Sequence, residues 1–204
     1  MKIKVCGMRD ADNVKSIGES GIDFMGFIFF PKSARYVGED FDPSIPASLP
    51  DSVKRVGVFV NENASKMKNL GEKYGLNYLQ LHGNEKPELC AEMQNAGFGV
   101  MKAFGVDESF DFETLKDYAD FVDYFLLDTK CAGHGGSGKR FDWSLLEKVP
   151  SGKPVFLAGG IDHEAAKEIE NLPANVAVLD LNSRFEIEPA LKDENKLRRF
   201  IQRL

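Results

Sequence analysis

Residues 78–104 read YLQLHGNEKPELCAEMQNAGFGVMKAF. The β-prone run Tyr78 to Leu81 gives way to a polar knot, His82-Gly83-Asn84-Glu85. Pro87 to Ala96 then spaces its apolar residues by three or four, as a helix does, and Gly99 to Phe104 returns to a β-prone run. The same unit recurs on both sides of this stretch. Further β-prone runs are Lys2 to Cys6, Phe24 to Phe30, Lys54 to Val60, Tyr124 to Leu127, Pro154 to Leu157 and Val176 to Leu181, eight in all. Helix-like spacing fills Ala64 to Tyr74, His163 to Leu172 and Asn195 to Leu204, with Asn63 and Asp162 as cap-like residues. The runs are continuous more than alternating, which suits parallel strands covered on both faces by crossover helices. An open doubly wound sheet and a closed barrel both satisfy this alternation, but the open sheet needs fewer strands. The expected fold is therefore α/β, a single-domain (β/α)8 TIM barrel over residues 1–204. Asp40 to Asp51, with Pro43, Pro46 and Pro50, is expected to replace or shorten the helix after the second strand.

Glycines, polar groups and charges gather just after the runs, where a barrel has its C-terminal mouth and barrel enzymes keep their sites. The chain of 204 residues carries a formal net charge of −6, and its basic residues go no further than pairs such as Lys139-Arg140 and Arg198-Arg199. That balance argues against a nucleic-acid or membrane surface and leaves room for a small anion held by local geometry. Met1 leads into an alternating apolar segment with no secretion-signal pattern, so a cytoplasmic location is expected. Cys6, Cys90 and Cys131 have neither disulfide nor zinc spacing, and no metal is expected.

Cys6 ends the first run and precedes Gly7, so its thiol is either a base at the mouth, tuned by nearby cations, or an inert buried cysteine. Asp128 closes Phe125-Leu126-Leu127; an apolar rim would raise its pKa for acid work, and the alternative is a carboxylate capping its own loop. Asp180, near the end of the eighth run, either fixes a substrate hydroxyl or amine or orients its loop. Arg35, in Pro31-Lys32-Ser33-Ala34-Arg35-Tyr36, suits a carboxylate or an aromatic ring, or is a solvated charge. His82 is read as an outer member of the site. Gly159-Gly160 and Asn182-Ser183 follow the seventh and eighth runs, the usual phosphate seat of such barrels, where backbone N–H groups and a short helix N-terminus meet a dianion; a plain turn is the alternative. Gly133 to Lys139 satisfies G-x-x-x-x-G-K, but Arg140 stands where a nucleotide loop needs Ser or Thr. A glycine-rich loop that folds over a ligand, with Ser137 or Lys139 near the phosphate, fits better.

Taken in order, six segments resemble the phosphoribosylanthranilate isomerase family, a tryptophan-pathway barrel, from the first strand to the last. They are Lys4-Val5-Cys6-Gly7-Met8, Ser33-Ala34-Arg35-Tyr36, Leu79-Gln80-Leu81-His82-Gly83, Leu127-Asp128-Thr129, Gly135-Gly136-Ser137-Gly138-Lys139-Arg140-Phe141-Asp142-Trp143 and Leu157-Ala158-Gly159-Gly160. The resemblance implies an Amadori rearrangement of N-(5-phosphoribosyl)anthranilate to 1-(o-carboxyphenylamino)-1-deoxyribulose 5-phosphate, with Asp128 as general acid, Cys6 as general base and no cofactor. It implies further that Arg35 holds the anthranilate part, that Asp180 and His82 sit beside the substrate, and that Gly159, Gly160, Asn182 and Ser183 take the phosphate. The chain is expected to act as a monomer on this phosphosugar. Many relatives have Ser-Ser-Gly after the last strand and Pro-Gly before Leu-Lys-Asp, whereas this chain has Asn182-Ser183-Arg184 and Pro189-Ala190. Arg184 either adds charge to the phosphate seat or pairs with Glu186 or Glu188. Another phosphosugar enzyme on this scaffold and a catalytically silent phosphometabolite binder are the competing readings.

Overall fold

Eight strands, β1 Lys2–Cys6, β2 Phe24–Ile28, β3 Lys54–Phe59, β4 Tyr78–Leu81, β5 Gly99–Val106, β6 Tyr124–Thr129, β7 Val155–Leu157 and β8 Val176–Leu181, pair in sequence order in a computed structural model of the chain. β1 pairs in parallel with β8, placing Lys4 beside Asp180 and closing the barrel. The structure describes residues 1–130, 141–150 and 152–204. The (β/α)8 expectation holds. Five boundaries move, because ladder pairing and not hydrophobicity ends a strand: β2 stops at Ile28, β3 stops at Phe59, β7 starts at Val155, and β5 and β6 pair on through Gly105 with Asp128 and Val106 with Thr129. Asp128 is thus a strand residue, fixed by its ladder.

The helices are α1 Ala11–Gly18, α2 Ser44–Ala47, α3 Ala64–Lys73, α4 Pro87–Asn95, α5 Thr114–Tyr118, α6 Ala166–Ile169 and α7 Glu194–Ile201. Asp10, Asn63 and Asp193 cap α1, α3 and α7 by accepting from the backbone N–H three residues on, each such cap contributing about 1 kcal/mol. Pro87, fixed at a helical φ, starts α4. The proline-rich segment after β2 keeps only the one turn of α2, as its sequence foretells. The helix expected over His163 to Leu172 contracts to α6, and Asp162 does not cap it: Asp162 Oδ1 accepts from Glu164 N at 3.0 Å and makes a turn instead.

Alternation sorts each strand between two cores. Ile3 and Val5 of β1 face outward and share the outer core with Val14 and Ile17 of α1 and Leu197 of α7. Phe24, Val56, Met101, Ala103, Leu126, Phe156, Ala158 and Val178 fill the barrel interior. At its N-terminal end Phe24, Tyr78, Tyr124 and Phe156 meet edge to face, with ring centroids 4.9–6.3 Å apart. Toward the other end the interior turns polar, with Lys4, Gln80 and Asp180 all buried. A second buried ion pair, Lys102 with Glu85 at 3.2 Å, stitches the mouth from outside. Glu85 accepts from the N–H groups of Asn61 and Gly83, and Lys102 donates to the carbonyls of Leu81, Gly83 and Ala103, so both charges are fully bonded.

Beyond β8 the chain forms a hairpin, β9 Glu186–Glu188 and β10 Leu191–Lys192. Its turn holds Ala190 at φ 70°, buried, with its N–H donated to Glu186 Oε1 at 3.1 Å. A left-handed alanine costs roughly 1 kcal/mol, so Ala190→Gly is expected to raise the thermal midpoint by a few degrees (about 2–4 °C), read by calorimetry; an unchanged or lowered midpoint counts against strain at this turn.

Candidate active site at the C-terminal mouth

Lys4 and Cys6 face inward from β1, and the thiol fits because β2 offers Gly26 opposite it. A Cβ at Gly26 would lie 2.7 Å from Cys6 Sγ. Gly26→Ala is therefore expected to push the thiol out of place and cut activity by tenfold or more, about what a misplaced acid-base group costs. Thiol alkylation and turnover, measured together, check this; full activity in a folded variant contradicts it. The next residue, Gly7, has φ 75°, and the space a side chain would take there is filled by Arg35 Cδ at 2.7 Å and Asn182 Oδ1 at 3.0 Å.

Lys4 Nζ donates to Asp180 Oδ2 and to Gln80 Oε1, each at 2.8 Å. Burial works against its charge, but Asp180 and Cys6 outweigh it and hold the ammonium above its ordinary range. Asp180 Oδ1 is buried with no hydrogen-bond partner among the described residues, leaving one carboxylate oxygen to accept from a ligand. Burial pushes the Cys6 thiol up; Asp180 adds to this, while Lys4 and Lys192 pull it down. Loss of solvent thus outweighs the cations, and the resting thiol lies above its ordinary value.

Asp128 enters from β6. Oδ1 accepts from Thr129 N at 2.7 Å, and Oδ2 lies 3.8 Å from His82 Nε2. Burial, helped by the charge of Asp180, raises the carboxyl to about 6, against the lowering pull of the Thr129 N–H and Lys4. Cys6 and Asp128, 122 positions apart in the chain, both sit in the field of the Lys4–Asp180 pair. His82 Nδ1 is 2.9 Å from Gln80 Nε2, which joins the histidine to the same cluster.

Arg35 reaches the mouth from the loop after β2. Its Nε and Nη2 donate to the two carboxylate oxygens of Glu186 at 2.8 and 2.7 Å. The fork that would grip a ligand carboxylate is therefore committed to the hairpin, and among the described residues no hydrogen bond is made by Nη1. Lys192, fully buried, donates to Glu186 Oε1 at 2.6 Å and to Asn182 Oδ1 at 3.0 Å. Glu186 is thereby shared between Arg35 and Lys192. Gly159 and Gly160, at φ 88° and 66°, follow β7, and a Cβ on Gly159 would meet Asp128 Oδ1 at 2.8 Å. The Gly159 backbone thus lies against the carboxyl. The next regular helix, α6, begins only at Ala166, while Ser183 opens a single turn, Ser183–Phe185. Gly133 to Lys139 and Cys131 lie outside the described residues. Cys90 lies on the buried face of α4, its thiol lifted by burial to about 11, an inert packing residue.

Lys4, Gln80, Glu186 and Lys192 belong to this site and carried no functional reading in the sequence. Lys4 had a usable signal, a charge between Ile3 and Val5 at a position that alternation points inward. Among the described residues no group of three His, Cys, Asp or Glu could hold a metal ion, and no helix is long and apolar enough to cross a membrane.

Residues 3–203 match the family model described as N-(5'phosphoribosyl)anthranilate (PRA) isomerase. A relative from Parabacteroides distasonis, N-(5'-phosphoribosyl)anthranilate isomerase, is 47% identical over 100% of this chain and 93% of its own length. The crystal structure of phosphoribosyl anthranilate isomerase from Thermus thermophilus superposes with a TM-score of 0.88 at 31% identity, covering 100% of this chain and 98% of that one. A phosphoribosyl anthranilate isomerase in complex with reduced 1-(o-carboxyphenylamino)-1-deoxyribulose 5-phosphate superposes with a TM-score of 0.83 at 34% identity, covering 100% and 97%.

Proposed function

Because the chain belongs to the N-(5'-phosphoribosyl)anthranilate isomerase family, the isomerases of tryptophan biosynthesis, we propose an Amadori rearrangement run by Cys6 and Asp128 as its reaction. The substrate is N-(5-phosphoribosyl)anthranilate and the product 1-(o-carboxyphenylamino)-1-deoxyribulose 5-phosphate. Asp128 gives its proton to the furanose ring oxygen; the bond from C1' to that oxygen breaks while the nitrogen lone pair forms C=N, leaving an open-chain iminium. The Cys6 thiolate then removes the C2' proton, and the C–H electrons form C1'=C2' as the iminium becomes an enolamine. Transfer of a proton from the 2'-hydroxyl to C1', through solvent or the regenerated acid, completes the ketone. The positive iminium beside Cys6 acts in the same direction as Lys4 and Lys192, favouring the thiolate when it is needed.

One observation carries this reading: a carboxyl held at about 6, able to stay protonated near neutrality, in the same polar mouth as the thiol. The open acceptor Oδ1 of Asp180 supports a contact to the substrate nitrogen or a hydroxyl. Arg35 covers the anthranilate ring or meets its carboxylate with the edge not taken by Glu186. The consecutive left-handed glycines Gly159 and Gly160, with the backbone at Asn182 and Ser183, turn N–H groups toward the phosphate. Freshly prepared phosphoribosylanthranilate is fluorescent, and its fluorescence should fall on adding the pure protein far faster than the spontaneous background. A rate equal to the background rejects the isomerase reading.

A further inference from the structure

Gln80 and His82 link Lys4 to Asp128, and the rearrangement as written uses neither. Lys4 Nζ donates to Gln80 Oε1, and an ammonium has only donors, so the amide is fixed with Nε2 turned to His82 Nδ1 at 2.9 Å. That NH2 group also only donates. Nδ1 must therefore accept, and the single proton of a neutral imidazole is left on Nε2, the atom that faces Asp128 Oδ2 across 3.8 Å. From this geometry we infer that Gln80 is a positioning residue that locks His82 as the neutral Nε2–H tautomer, so that the imidazole donates toward Asp128 and does not take its proton.

The purpose of the lock rests on Asp128 acting as the acid; the tautomer itself does not. In the opposite tautomer a bare Nε2 would stand beside the carboxylic acid. An ordinary imidazole, with a reference pKa of about 6.5, matches the value of about 6 held by Asp128, and a bare nitrogen facing the acid would take its proton in a large share of molecules. In those, an imidazolium–carboxylate pair would have no acid left for the ring oxygen. With Nε2 already protonated, His82 takes up a proton only at Nδ1, at the cost of its bond from Gln80. Once Asp128 has spent its proton, the new carboxylate has the Thr129 N–H on Oδ1 and an N–H donor facing Oδ2. The 3.8 Å gap is too long for a hydrogen bond, as expected while Oδ2 itself carries the proton and two donors face one another. Among the described residues, the charged groups around this relay include Lys4 and Asp180, behind Gln80, and Asp128 in front of the ring.

The test is a long-range proton–nitrogen NMR correlation on the 15N-labelled free protein at pH 7, with the His82 signals assigned by their loss in His82→Gln. The expected pattern is a protonated Nε2 and a bare Nδ1. Gln80→Glu keeps an acceptor for Lys4 but turns an acceptor to the ring, and should place a proton on Nδ1 and lower kcat by about tenfold or more with little change in KM. A Gln80 that only fills space would leave the ring proton where it was. Nδ1 protonated in the parent protein, or a Gln80→Glu spectrum with Nδ1 still bare, overturns the inference. Should Asp128→Asn keep full activity, the acid role fails while the tautomer reading stands, so the two failures are distinguishable.

Discussion

Cys6→Ala is expected to lower turnover of phosphoribosylanthranilate by at least about a hundredfold, with product affinity little changed. The change deletes one sulfur. It leaves the Lys4–Asp180 pair, the Gly26 packing and every strand ladder intact, and shrinking so small a buried side chain costs only about 1 kcal/mol of stability. A large fall in kcat with an unshifted product titration therefore isolates the proton-abstraction step. Serine at this position restores the shape but not a usable base and should remain as slow as alanine. Turnover close to the parent's in either variant returns Cys6 to the class of inert buried cysteines, with Cys90.

Asp128→Asn should cost at least as much, again about a hundredfold or more, and it should also change the shape of the pH profile. Asparagine still offers Oδ1 to the Thr129 N–H, so the loop after β6 keeps its anchor and only the acidic proton is lost. In the parent protein the active form needs Asp128 protonated and Cys6 ionised. The carboxyl titrates at about 6 and burial lifts the thiol above its ordinary value, so the two are ordered the wrong way round for a high active fraction. Below pH 6 the carboxyl is already protonated and each unit of acid removes thiolate, so kcat/KM falls. Between the two values thiolate gained offsets acid lost, and the profile is flat. Above the thiol's value only acid is lost and the rate falls again. The break near pH 6 thus belongs to Asp128, and in Asp128→Asn it should vanish, the residual rate climbing with pH until the thiol has titrated. A variant that keeps the break assigns it to another group.

What could be read in the chain depended on the range over which its cause acts. The runs that became β1 to β8 were legible because each buries its own residues, and caps such as Asn63 because the partner lies three residues away. Strand ends were less so, since Gly105 and Asp128 hold each other in the ladder and neither is apolar enough to announce it. Helix α6 was overread from apolar spacing that Asp162 interrupts with a turn. Cys6 and Asp128 stood out by standing where a strand meets the mouth. The grip of Glu186 on Arg35 joins residues 151 positions apart, and no local pattern signals it. Lys4 was hidden by assuming that every buried strand is apolar throughout, whereas β1 gives alternate positions to charge.

The four-ring floor of Phe24, Tyr78, Tyr124 and Phe156 plugs the barrel beneath its polar mouth. Whatever reacts there enters and departs by one doorway. Arrival of the next molecule must await departure of the last, so the two compete for a single vacancy, and the pace of clearance becomes a ceiling that faster chemistry at the rim could not lift.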